Sequence, residues 1–148
     1  MDDVFKDHDI ILNKQINMKM TIRQQFCLIH LCKFYDEIIN IIKKLKPEYY
    51  SIAKRTSKER KLFNCNLFIM KKEDFFRYCE FIFDILFEFD KRNNFTSDND
   101  VINYLERIHN SSNFIHYQSR LQGYLAERIG NIFFKYNFNR IKTYDIVN

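Results

Sequence analysis

Glycine and proline are nearly missing from this chain: 148 residues contain two Gly and one Pro. So few chain breakers exclude a turn-rich all-β architecture and favour long helices with few tight turns. Tryptophan is absent altogether. No apolar run is long enough to span a bilayer. The opening, MDDVFKDHD, is acidic and polar, so no secretory signal is expected. There is no glycine-rich phosphate loop of the dinucleotide or P-loop type. The four cysteines, Cys27, Cys32, Cys65 and Cys79, include no zinc-finger pair, and one C-x4-C spacing specifies little. Each lies in an apolar segment and is expected as a small core residue with a reduced thiol. These features together predict a cytoplasmic protein.

What is abundant is aromatic: 16 Phe and 9 Tyr, within a hydrophobic content of 46%. That excludes a disordered chain, and the length suits a single domain over residues 1–148 with a sizeable core. Net charge is +5 and the pI about 9.0. A basic surface attracts nucleic acid, anionic lipid or phosphorylated small molecules. The only basic cluster, Lys43, Lys44 and Lys46, reads as a solvated helix end. With no Arg-rich tail and no recognisable motif, nucleic acid is not an expected partner.

Residues 62–92, LFNCNLFIMKKEDFFRYCEFIFDILFEFDKR, organise the chain. Leu62 to Met70 is an apolar run suited to a buried strand. Lys71 and Lys72 end it, and Glu73 and Asp74 supply the negative charge that a helix N-terminus favours. From Phe75 the period is helical, with Phe75, Cys79, Ile82, Leu86 and Phe89 as the buried stripe and Phe83 beside it. Glu73, Arg77, Glu80, Asp84, Glu88 and Lys91 form the opposite, solvated stripe.

Around this unit, Asp9 to Leu12 is expected as a short strand. Thr21 and Gln24 make a capping box for a helix from Ile22 to Cys32, and Phe34 to Leu45 continues helically. Pro47 opens a short helix through Lys54, and Arg55 to Lys61 is a loop. Asn93 to Asp98 is a turn-rich connection. Ser97 and Asp100 start another helix, Asn110 to Asn113 is a loop, His116 to Tyr136 is the second long helix, and Thr143 to Val147 is a closing strand. No internal repeat, low-complexity segment or domain boundary is visible.

In the last helix Arg120, Gly123, Glu127 and Gly130 fall on one side, and both glycines of the chain lie there. A helical Gly costs roughly 1 kcal/mol against Ala, so close approach of a backbone or a ligand is expected at one or both. Packing suits Gly130, whereas Gly123 is open between packing and a ligand. The planar fork of Arg120 suits phosphate or carboxylate. Glu127 could orient it, bind a sugar hydroxyl or take a proton, and a structural ion pair between the two is the plainer alternative. Glu80, Asp84 and Glu88 are read as a solvated face. The Asp-x-Asp triplets at Asp7–Asp9 and Asp98–Asp100 do not follow a buried strand, so capping and chance explain them better than metal binding. His109 and His116 have no evident partner.

Asn66-Leu67-Phe68-Ile69-Met70-Lys71-Lys72, then Tyr78-Cys79-Glu80, and then Gln118, Arg120, Gly123, Glu127 and Arg128 form ordered blocks. In these the chain resembles the C-terminal half of a bacterial glycosyltransferase family of capsular and exopolysaccharide loci, catalogued as a DUF4422-type domain. The resemblance covers roughly residues 9 to 147. It implies an α/β, glycosyltransferase-A-like family fold, of which this chain is the mostly helical C-terminal part with a few short strands. It implies sugar transfer from a nucleotide-sugar donor to a glycan acceptor, a divalent metal (Mn or Mg), and peripheral association with the cytoplasmic face of the inner membrane. It assigns Asn66, Gln118, Arg120, Gly123 and Arg128 to substrate binding and Glu127 to catalysis. His30 falls where the family often has a His that contacts the acceptor or moves a proton; a satisfied core histidine is the alternative. No metal ligand is assigned. The family's earlier, nucleotide-binding half has no counterpart here, so a truncated or split product, or one that needs a partner chain, is expected. Phe63-Asn64-Cys65 and residues 93–113 depart from the commonest family pattern, which bears on acceptor specificity. The alternative function is a catalytically inactive helical interaction module.

Overall fold

The computed structural model describes residues 4–108 and 118–145, the side chain of Val4 excepted. In chain order the elements are α1 (Val4–Asp7), β1 (Ile10–Asn13), β2 (Ile16–Asn17), α2 (Ile22–Ile29), α3 (Cys32–Leu45), a 3₁₀ turn (Pro47–Tyr49), α4 (Tyr50–Ser57), β3 (Lys61–Leu62), β4 (Phe68–Met70), α5 (Lys72–Asn93), α6 (Asp98–Ile108), α7 (Leu121–Asn137) and β5 (Ile141–Tyr144). The architecture is mostly helical with a small mixed sheet.

That sheet has the order β4-β1-β5. β1 runs antiparallel to β4, with Ile11 opposite Ile69, and parallel to β5, with Ile11 opposite Lys142. β2 and β3 form a separate two-stranded ladder. Along β1 side chains alternate between faces: Ile10 and Leu12 are buried, while Ile11 faces outward and is only half-covered. Beneath the inner face lie α5 and α7. There Phe68 meets Tyr78 edge-on at 4.8 Å and Phe134 at 5.7 Å between ring centroids. The abundant phenylalanines serve this core: Phe34, Phe89 and Phe95 form one cluster, and Phe81, Phe133 and Phe138 another.

Local signals explain most element ends. Thr21 and Gln24 form the expected capping box on α2. Asp100 accepts from the backbone and hydroxyls of Thr96 and Ser97, fixing the start of α6. α5 closes on Asn94, whose left-handed φ of 55° suits an Asn at a helix C-terminus. Gly130 packs as expected: a Cβ there would lie 3.2 Å from the Tyr78 hydroxyl.

Several expectations are corrected. Leu62 to Met70 is not one strand. Leu62 ends β3 in one ladder, Phe68 starts β4 in another, and between them Cys65 and Asn66 take left-handed φ values of 66° and 49°. Local side-chain hydrogen bonding makes Asn one of the residues that tolerate this turn. The buried face of α5 is rotated from the one expected. Tyr78, Phe81, Ile82, Ile85, Leu86 and Phe89 are buried, whereas Phe75 is 43% exposed and Phe83 48% exposed. α5 is apolar around most of its circumference, so periodicity offers two stripes and packing against α3 and α7 selects one. α2 stops at Ile29 and not Cys32, because the chain turns extended at His30 and Leu31 before α3. α4 runs on to Ser57. α7 starts at Leu121, and residues 109–117, which hold His109, His116 and the expected loop, lie outside the described residues. β5 begins two residues early, at Ile141.

The cysteines also differ from expectation. Cys27 and Cys32 form a disulfide, brought to a Cα separation of 4.7 Å by the break between α2 and α3. Cys65 is exposed and Cys79 half-buried, so neither is a fully buried core residue. Among the described residues no helix is long and apolar enough to cross a membrane.

Candidate functional site

The turn between β3 and β4 faces the first two turns of α7, and the two enclose a cleft of about 340 Å³ lined by Cys65, Asn66, Arg120, Gly123, Tyr124 and Glu127. α7 presents its residues here because Arg120, Gly123, Tyr124 and Glu127 recur at spacings of three and four. Gly123 leaves the wall open: a Cβ built there meets nothing within 4 Å. Among the described residues no group approaches it, so packing against them does not account for this glycine. Arg120 caps the helix without a side-chain cap bond and is exposed, with no ion-pair partner among the described residues.

Glu127 holds the two walls together. Its Oε1 accepts the Cys65 backbone N–H at 2.7 Å, and its Oε2 accepts from Arg128 Nη1 at 2.7 Å. One turn further along α7, the buried Asn131 pairs with both backbone groups of Phe63, accepting from its N–H at 2.9 Å and donating to its carbonyl at 2.8 Å. The side-chain amide thus replaces a missing strand partner. The Arg120–Glu127 ion pair, the plainer alternative in the sequence, gives way to a Glu127–Arg128 pair, because Arg128 turns inward.

Behind Tyr124 lies a buried polar group. His30 stacks on Phe26 and lies tilted against Tyr124, with centroids 4.9 and 4.6 Å away. Burial, with the Arg128 charge, pushes its pKa down to about 4, so it is neutral at ordinary pH. Its Nε2 has no hydrogen-bond partner among the described residues. Arg128 donates to the Tyr124 carbonyl, Glu127 and the Gln25 amide oxygen, and its guanidinium lies over Phe26 and Tyr124. Burial works against its charge and Glu127 supports it; an arginine remains protonated even so. Gln118 donates to the carbonyl of Ile29 at 2.8 Å, satisfying the frayed end of α2.

Of the residues singled out from sequence, Asn66, Arg120, Gly123 and Glu127 meet around the cleft. Gln118, Arg128 and His30 are not among its lining residues and pack behind it. Tyr124 and Cys65 are lining residues that sequence reasoning missed. Tyr124 had a usable signal, standing four residues after Arg120 on the same helix. Cys65 had none, because a turn with two left-handed residues was read as strand. Among the described residues no three His, Cys, Asp or Glu side chains converge, so no residue here is assigned to the metal that the resemblance implies.

No curated protein matches the chain. Among solved structures, it is similar to one titled as the apo structure of WbbM, a bifunctional glycosyltransferase, with a TM-score of 0.66 and 23% identity. The match covers 91% of this chain and 23% of that one, so the chain spans well under half of its neighbour's length. At this identity the likeness concerns the fold. The family described as Domain of unknown function (DUF4422) matches residues 1–103, which take in β1 through most of α6, including Cys65 and Asn66, and stop before the α7 wall. With more than half its length matched, the chain belongs to that family.

Proposed function

We propose that the chain is the sugar- and acceptor-contacting part of a nucleotide-sugar-dependent glycosyltransferase of capsular or exopolysaccharide synthesis, built on a glycosyltransferase-A-like plan. The observation that carries this reading is the cleft itself, where Asn66, Arg120, Gly123 and Glu127 converge from two separate segments. Family membership and the fold likeness support it. Arg120 offers a planar fork to a donor phosphate or an acceptor carboxylate. The Asn66 amide can pair with sugar hydroxyls, and the Tyr124 ring offers an apolar platform to a sugar face. Both Glu127 oxygens already accept a hydrogen bond, which favours an orienting role over that of a general base. Metal chemistry is derived for none of these residues. The same reading carries a cytoplasmic location peripheral to the membrane, and a partner that supplies nucleotide binding.

The test is calorimetric binding and donor hydrolysis with a panel of nucleotide sugars, on the chain alone and with the product encoded immediately upstream. The expected result is weak donor or glycan binding by the chain alone, turnover only with the second component, and loss of both on Arg120→Lys with folding unchanged. No binding or turnover in either setting would overturn the reading and favour a catalytically inactive module.

A further inference from the structure

No chain breaker separates α2 from α3. Residues 27–32 read Cys-Leu-Ile-His-Leu-Cys, without glycine or proline, yet the chain turns extended at His30 and Leu31. Were the helix continuous, its rise alone would set Cys27 and Cys32 about 7.5 Å apart. A disulfide does not bridge Cα atoms more than about 7 Å apart. In the bonded pair they stand 4.7 Å apart. The bond and a continuous helix therefore exclude each other.

The segment that the bond holds extended leans on the cleft. Gln118, just before α7, donates to the Ile29 carbonyl at 2.8 Å. The His30 ring lies between Phe26 and Tyr124, and Tyr124 lines the cleft. Nε2 of this buried ring has no hydrogen-bond partner among the described residues, and an unpaired buried polar atom opposes the arrangement. The body of α2 is anchored separately, through Phe26 on Tyr35. The bond is also of a kind that opens readily. It joins residues only five apart in sequence, and the stabilisation from a disulfide shrinks with the loop it closes. Both cysteines are half-buried, within reach of a small thiol.

We propose that Cys27–Cys32 is a reversible redox latch on the cleft wall. Oxidised, it holds residues 28–31 extended and His30 against Tyr124. Reduced, it frees that segment and loosens the start of α7. Glutathione serves as the reductant. One glutathione thiolate attacks a protein sulfur and forms a mixed disulfide, releasing the other cysteine as a thiolate. A second glutathione thiolate then displaces the first cysteine. Two protein thiols and one glutathione disulfide result, a two-electron exchange that excess glutathione disulfide reverses. The latch acts on the wall whatever the cleft binds, so it does not depend on sugar transfer.

The experiment has two parts. In the first, the chain is equilibrated in glutathione buffers from reducing to oxidising, quenched in denaturant with a thiol-alkylating reagent, and mapped by mass spectrometry. Cys27 and Cys32 should pass together from labelled to unlabelled within that range, while Cys65 and Cys79 stay labelled. A bond that survives the most reducing buffer, or never forms in the most oxidising one, overturns the proposal. In the second, hydrogen exchange is compared between the oxidised and reduced wild type. Residues 28–34 and the first turn of α7 should exchange about tenfold faster when reduced, while α5 is unchanged. Cys27→Ser with Cys32→Ser should match the reduced form in either buffer. Unchanged exchange at α7 overturns the proposal, and so does an equal rise in α5, which would make the bond a general staple.

Discussion

The Glu127 carboxylate is bonded to the backbone of Cys65, 62 residues away in sequence, while its other oxygen holds the adjacent buried guanidinium of Arg128. One side chain thus fixes a left-handed turn and neutralises an interior charge. Glu127→Gln keeps an acceptor for Cys65 but loses the ion pair, and Glu127→Ala loses both. Removing one partner of a buried pair costs about 3–5 kcal/mol, so Glu127→Ala should destabilise strongly and Glu127→Gln by less. Urea unfolding of both variants checks the order; equal and small losses would show that Arg128 finds another partner.

The two glycines should respond in opposite directions. An alanine at position 123 meets none of the described residues and gains helix propensity, so Gly123→Ala should stabilise by about 1 kcal/mol. If the cleft binds sugar, the same change weakens that binding. An alanine at position 130 presses on the Tyr78 hydroxyl at 3.2 Å and the Phe134 ring at 3.6 Å. Overpacking of that kind costs about 1–3 kcal/mol, which exceeds the gain in propensity. Thermal melts of the two variants should move apart.

Leu86 and Phe83 lie three residues apart on α5, on either side of the boundary between its buried and exposed faces. Leu86 is 7% exposed, so Leu86→Ala should cost about 2–5 kcal/mol. Phe83→Ala, at 48% exposure, should cost under about 1 kcal/mol. Comparable losses from both would mean that α5 is rotated in its groove.

His30 makes stability depend on pH. Its folded pKa of about 4 lies below the ordinary value of 6.5, so between these the unfolded chain binds more protons than the folded one. Stability from this group is therefore full above pH 6.5 and declines as pH falls towards 4, by up to about 1.4 kcal/mol per unit. In His30→Phe the decline over that window should flatten. Denaturation midpoints of wild type and variant, measured between pH 4 and 7, read the difference directly.

Much of the fold was legible because its signals are local. The Thr21–Gln24 box, the Ser97–Asp100 start, the position of β1 and the long helix after Lys71 all rest on neighbours within four residues. What escaped depends on distant partners. Nothing local in Phe63-Asn64-Cys65-Asn66 shows that Asn131 and Glu127 will hold that backbone off the strand path. The buried face of α5 was legible at Ile82, Leu86 and Phe89 but misplaced at Phe75 and Phe83, which are as apolar as Phe89, so that only the packed neighbours distinguish them. The α7 side of the cleft was visible as a helical stripe at Arg120, Gly123 and Glu127. Its opposite wall at Cys65 was not, and the inward turn of Arg128 becomes intelligible only with Gln25 and Tyr124 beside it. The Cys27–Cys32 bond followed from the break at His30 and Leu31, which helical periodicity had bridged.

The order of strands has a consequence for synthesis. β1 emerges from the ribosome first, yet it sits in the centre of its sheet and takes its parallel neighbour from residues 141–144. Until those residues are translated, β1 can hold only β4, and one edge of the central strand stays open. The final closure spans nearly the whole described chain, the kind of distant pairing that slows folding. A nascent chain stalled just short of Ile141 should therefore be protease-sensitive at β1 while its helices are already formed.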